Sequence, residues 1–179
     1  PNLIKRVMDI GAHGVIVPNV NSPEDAIQAV ESVKYFPMGK RGVGLFKAQK
    51  FGREFNSYLK WVKKNSLVII QIEHINAVNN IEDIFSIQGI DAFFIGPYDL
   101  SSSMGIPGKF NSPKFKKAIK KIFDAGKKYN ITAGYHSVSS NPKEAIKYKK
   151  QGFKMIALSL DSILLGDKAS ESLNKLKNS

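Results

Sequence analysis

An α/β protein built on a parallel sheet is what this sequence predicts, and three observations predict it. Five short runs are almost wholly apolar, among them residues 67–70 and 92–95. Between them lie longer segments whose apolar residues recur at helical spacing. The two kinds of segment alternate strictly, and continuously apolar strands separated by helices signal a parallel sheet covered on its outer face. Two architectures fit: an open doubly wound sheet, or part of a (β/α)8 barrel. A phosphate-cradling G-x-G-x-x-G after the first strand is missing, which weakens the dinucleotide-binding form of the open sheet.

Each element follows from its own residues. Leu3, Ile4, Val7, Met8 and Ile10 give residues 2–10 a helical stripe that stops at Gly11, and 14–18 then reads as a short buried strand. Ser22 is placed as the N-cap of the next helix, with Pro23 at its first position and the end near Lys34. A loop rich in glycine (Gly39, Gly42, Gly44) leads to a helical stretch containing Tyr58 and Trp61. Residues 67–73 form the second strand, 75–87 a helix, and 91–96 the third strand. A helix over 113–128 precedes a strand over 131–135, a helix over 142–150 precedes a strand over 154–159, and a last amphipathic helix starts near Asp161. No internal repeat or domain linker interrupts the pattern, so residues 1–179 are expected to form a single domain.

Composition excludes several functions. No Cys is present, which removes disulfides, thiolate nucleophiles and Cys-ligated metals, and leaves oxygen or imidazole as ligands. The longest apolar runs fall far short of the roughly 20 residues of a membrane span, and no charged-then-apolar leader is seen, so a cytoplasmic protein without membrane contact is expected. The net charge of +12 invites a nucleic-acid reading. Its distribution argues against one: residues 1–108 hold 11 basic and 10 acidic side chains, residues 109–179 hold 16 and 5. Only Arg6, Arg41 and Arg53 offer the guanidinium fork that phosphate and base recognition favours, so the lysines read as a solvated surface.

The chemistry is expected where strands end. In a parallel barrel, function sits at the C-terminal ends of the strands. Those ends carry Pro18-Asn19, Gln71-Ile-Glu-His74, Gly96-Pro-Tyr-Asp99, Gly134-Tyr-His136 and Ser159-Leu-Asp161. Glu73 and Asp99 follow consecutive strands, so both carboxylates are expected on one rim within reach of one ion, and two carboxylates with water and substrate oxygens suit Mg²⁺ or Mn²⁺. The plainer alternatives are a helix N-cap for Asp99 and a surface ion pair for Glu73. Gly96 and the helix start after it offer backbone N–H groups to a substrate carboxylate. No Lys ends any strand, which disfavours Schiff-base chemistry and favours a metal as electron sink.

Several separate motifs then agree with one family. Gly11-Ala-His-Gly-Val-Ile-Val-Pro18 with Ser22-Pro-Glu-Asp-Ala26, the stretch from Tyr35 to Gly44, Gln71-Ile-Glu73, residues 89–101 and Met104-Gly105 together resemble the HpcH/HpaI aldolases of the phosphoenolpyruvate/pyruvate superfamily, over the whole length. The resemblance implies a (β/α)8 TIM barrel, N-terminally incomplete here, with about five of eight strands present. It implies metal-dependent, reversible cleavage of 4-hydroxy-2-keto acids to pyruvate and an aldehyde. Glu73 and Asp99 would be the ligands of a divalent metal, Mg or Mn, with Co a further option. Gln71 and the Gly96 and Tyr98 backbone would contact the pyruvate moiety, and Asp9 would orient the family's catalytic His.

The same resemblance locates the general-base His and a transition-state Arg ahead of the helix at residues 2–10, and none of His13, His74 and His136 matches that His. The chain alone is therefore expected to be nearly inactive and, with two unpaired sheet edges, poorly folded. Tyr98 is larger than the Ala or Ser usual in the family and would narrow the pocket. His136 is a candidate for the aldehyde side. Arg41 is a candidate for a substrate carboxylate, against a salt bridge that fixes its loop. The alternatives are a citrate- or malyl-CoA-lyase-like reaction, or a barrel fragment that only binds metal and 2-keto acid. A homo-oligomer, a hexamer built from dimers, is implied, with the last helix exchanged between protomers.

Overall fold

Five parallel strands pair strictly in chain order: β1 (Gly14–Val17), β2 (Leu67–Ile72), β3 (Ala92–Ile95), β4 (Thr132–Ser137) and β5 (Met155–Leu158). The structure, a computed structural model, describes residues 2–178. A doubly wound sheet would reverse its strand order at a switch point. None occurs here, and the strands instead form a half-barrel, which decides between the two architectures left open by the sequence.

Helices cover the outer face. In chain order they are α1 (Asn2–Asp9), α2 (Pro23–Val33), α3 (Phe55–Asn65), α4 (Ile75–Asn79), α5 (Ile81–Phe85), α6 (Pro97–Ser103), α7 (Pro113–Lys128), α8 (Lys143–Lys150) and α9 (Asp161–Lys177). Ser22 caps α2 as expected: its Oγ accepts from the Asp25 N–H at 3.2 Å while the Asp25 carboxylate accepts from the Ser22 N–H at 3.0 Å. The single helix expected over 75–87 is two short ones. Asn80 leaves the helical region (φ −93°, ψ 12°), and its side chain donates to the Asn21 carbonyl at 3.0 Å, tying the break to the loop after β1. β4 runs on to Ser137, so His136 lies within the strand rather than after it.

The pleat sorts side chains to two faces. Val68, Ile70, Ile72, Phe93, Ile95, Ala133 and Tyr135 point outward and are buried under the helices with Ile81, Ile84, Phe115 and Ile122. Each large apolar side chain so buried contributes about 1.5–3 kcal/mol. On the inner face, register aligns Gln71 with Phe94, Phe94 with Gly134, and Gly134 with Met155. Two residues further along each strand lie Glu73, Gly96, His136 and Ala157. The inner face is thus apolar at its middle and polar toward the ends of its strands.

The two expected edges are β1 and β5, each with one neighbour among the described residues. α9 has no buried residue, and Leu165 and Leu173 are 74% and 55% exposed on it. Among the described residues no helix is long and apolar enough to cross a membrane.

Candidate active site

Glu73 is the centre of the rim. It follows β2 directly and is buried, yet no Lys, Arg or His pairs with it among the described residues. Two groups hold its carboxylate. The Asn19 N–H donates to Oε1 at 2.9 Å, and the Gln71 amide donates to Oε2. Gly96, on the adjacent strand end, lies against both side chains: a Cβ there would sit 2.9 Å from Gln71 Nε2 and 2.9 Å from Glu73 Oε2. The absence of that Cβ lets the end of β3 pack closely against the carboxylate. Gln71, Glu73 and Gly96, each expected at the rim from sequence, therefore meet.

Asp99 follows Gly96 by three residues, on a different element. α6 starts at Pro97 with Gly96 as N-cap, so Asp99 lies in its first turn and is not the N-cap that the sequence offered as an alternative. Its side chain is exposed and carries no ion pair among the described residues. The Leu100 N–H closes the first turn onto the Gly96 carbonyl at 3.0 Å, which leaves the Tyr98 and Asp99 N–H groups without helical acceptors. The Tyr98 ring is half exposed and packs edge-on against Phe110, centroids 4.9 Å apart. The rim is braced from behind by Ser103, whose hydroxyl accepts from the Ile75 N–H at 3.0 Å.

His136 faces inward, half-buried, 6.1 Å from the Phe94 ring, with Nε2 3.2 Å from the Ser159 carbonyl. His74 is an N-cap: its Nδ1 accepts from the Asn76 N–H at 3.1 Å. A groove of about 580 Å³ lies on the outer surface between α7 and α8 and is lined by none of the expected site residues.

Two expected site residues belong to the opposite end. α1 closes within four residues of the start of β1, so Asp9 lies where the strands begin. There its carboxylate meets Lys5 and, at 2.9 Å, the Arg41 guanidinium. Arg41 is fully enclosed, donating also to the Val33 carbonyl (3.2 Å) and the Tyr35 and Tyr58 hydroxyls (2.8 and 3.1 Å), with its Cζ 4.4 Å from the Tyr35 ring centre. Of the two readings of Arg41, substrate carboxylate or loop-fixing bridge, the bridge is what forms here: its side chain has no exposed surface and is held by a buried ion pair. The sequence placed Asn19 at the end of a strand but gave it no role; Asn is a residue type that tolerates the left-handed backbone found there (φ 55°).

A half-barrel of parallel strands that gathers its polar side chains where the strands end has the layout of β/α-barrel enzymes. Residues 1–167 match the HpcH/HpaI aldolase/citrate lyase family, and the chain belongs to that family. It is 34% identical over 182 residues to the 2-keto-3-deoxy-L-rhamnonate aldolase of Escherichia coli K12, a match covering 98% of this chain and 66% of that one. The chain thus spans just under two thirds of the length of this curated relative. Among solved structures it is similar to an HpcH/HpaI aldolase/citrate lyase family protein from Burkholderia cenocepacia J2315 (TM-score 0.91, 30% identity, covering 99% of this chain and 70% of that one). The HpcH/HpaI aldolase from Desulfitobacterium hafniense DCB-2 is also similar (TM-score 0.89, 28% identity, 98% and 68%).

Proposed function

We propose that the protein carrying this chain is a metal-dependent (class II) aldolase that reversibly cleaves a 4-hydroxy-2-keto acid to pyruvate and an aldehyde, its five strands being part of an eight-stranded barrel. The observation that carries the reading is Glu73: a buried carboxylate with no basic partner among the described residues, held by two donors and packed against a glycine at the end of the next strand. An anion buried without a counter-charge is costly, and a cation relieves that cost.

The donor set fits a hard divalent ion. Both acids offer oxygen only, and among the described residues no cluster of three or more His, Cys, Asp and Glu completes a closed cage. Two carboxylates that leave positions for water and substrate oxygens are the pattern of Mg²⁺ or Mn²⁺. When bound, such an ion supplies Lewis-acid polarisation of the substrate's 2-keto oxygen. The chain's own groups hold and orient. Gln71 and Asn19 fix the Glu73 carboxylate, Asp99 supplies the second acid, and the Gly96 and Tyr98 backbone seats the pyruvate carboxylate. His136 lines the aldehyde side. In the forward cleavage a base takes the 4-hydroxyl proton, C4 becomes the aldehyde carbonyl as the C3–C4 bond breaks, that bond's electron pair forms the C2–C3 double bond with the charge on the 2-keto oxygen, and C3 then takes a proton to give pyruvate.

The 34% identity to an aldolase favours a free 2-keto acid over a CoA thioester, although the family also includes citrate lyases. The relatives are named as enzymes, which gives no support to a fragment that only binds. α9, with exposed leucines and no buried residue, supports assembly into a homo-oligomer. The test is pyruvate release from a panel of 4-hydroxy-2-keto acids, 2-keto-3-deoxy-L-rhamnonate included, by the full-length protein. Release that EDTA abolishes and Mg²⁺ or Mn²⁺ restores is expected. No release from any member, or release indifferent to EDTA, would overturn the proposal.

A further inference from the structure

Asn19 makes an unusual contact for a loop residue. Its side chain is exposed, but its backbone N–H reaches across 54 residues of sequence to Glu73 Oε1 at 2.9 Å. It can do so because its φ is 55°, in the left-handed region. Both neighbours force the turn. β1 ends at Val17, two residues before, while Val20, one residue after, is 1% exposed within the core, and Ser22 already caps α2. Between these anchors the chain must reverse at Asn19. Glycine takes this conformation freely and Asn with little strain, whereas β-branched residues resist it.

We infer that Asn19 is a positioning residue of the rim: its left-handed backbone aims its N–H at Oε1, while Gln71 takes Oε2, so the carboxylate is locked in one orientation with its remaining lone pairs free for a ligand. This rests on the reading of Glu73 as a metal ligand. A carboxylate offers about four acceptor sites. Two donors occupy one site on each oxygen and prevent rotation, so the ligand is oriented before any ion arrives. The Asn19 side chain itself plays no part, which sets this role apart from a polar contact to substrate.

The test is Mn²⁺ affinity of the full-length protein, read as free Mn²⁺ by electron paramagnetic resonance, with the unfolding midpoint recorded for each variant. Asn19→Gly is expected to stay within about threefold of wild type, and Asn19→Val to bind about tenfold or more weakly, the usual loss when a group holding a ligand is disturbed. Asn19→Ala falls between them, and if the Val variant does not fold, the Gly-to-Ala difference decides. Glu73→Gln is the control and loses Mn²⁺ binding. Val and Ala variants that bind like wild type while Glu73→Gln has lost the ion would overturn the inference. So would Asn19→Gly binding as weakly as Asn19→Val, since the side chain would then be the active group. A Glu73→Gln variant that still binds Mn²⁺ would instead overturn the metal reading beneath it.

Discussion

Replacing Asp9 by Asn removes the one carboxylate that balances Arg41. The guanidinium has no exposed surface, its partner is 8% exposed, and they are 2.9 Å apart. The amide still accepts one hydrogen bond, and the Tyr35 and Tyr58 hydroxyls and the Tyr35 ring remain, but none of these carries charge. Leaving a buried charge unpaired costs about 3–5 kcal/mol. Part of the negative charge lost from Asp9 also served Lys5, which is one-third exposed and recovers water. The expected loss is therefore near the lower end, about 3 kcal/mol, for Asp9→Asn. Urea unfolding followed by fluorescence of Trp61, the sole Trp of these residues, which stacks on Tyr58 at 5.9 Å, reports on this corner of the fold. A cycle with Arg41→Gln should give a coupling of about 2 kcal/mol, within the range for residues in one network. A loss under about 1 kcal/mol, or no coupling, would refute the account of Arg41 as a buried, loop-fixing charge.

Gly96→Ala would drive a methyl to 2.9 Å from both Gln71 Nε2 and Glu73 Oε2, so the carboxylate must shift; Mn²⁺ affinity should fall about tenfold or more, as for other disturbed ligand supports, and an unchanged titration would contradict the crowding. Burial, then the adjacent Tyr148, pushes the Tyr135 phenol above its ordinary value of 10.0. The unfolded chain gives up this proton first, so the stability it contributes is intact below about pH 10 and is lost as pH rises further. Denaturant midpoints above pH 10 should accordingly fall more steeply for wild type than for Tyr135→Phe; equal slopes would refute this.

What the sequence made legible follows from what is local. Strand and helix positions came from periodicity, and the Ser22 cap from a four-residue pattern, because each depends on neighbours along the chain. Gln71 and Glu73 were expected together at one strand end, and the pleat, which turns alternate residues to one face, delivers them together. The two readings of Arg41 stayed open in the sequence because its fate depends on Asp9, Tyr35 and Tyr58, which separate segments bring to it. The break at Asn80 depends on a carbonyl 59 residues away. Strand order, which excluded the doubly wound sheet, is likewise a relation between distant segments.

The central claim is that Glu73 holds a divalent ion on which cleavage depends. kcat/KM for pyruvate release by the full-length protein, with and without saturating Mn²⁺, compared between wild type and Glu73→Gln, tests it most directly. Lewis-acid stabilisation is worth several kcal/mol, so the account predicts that Mn²⁺ raises the wild-type value about a thousandfold over the chelated enzyme and leaves Glu73→Gln unmoved. A Glu73→Gln variant that responds to Mn²⁺ as wild type does would contradict it.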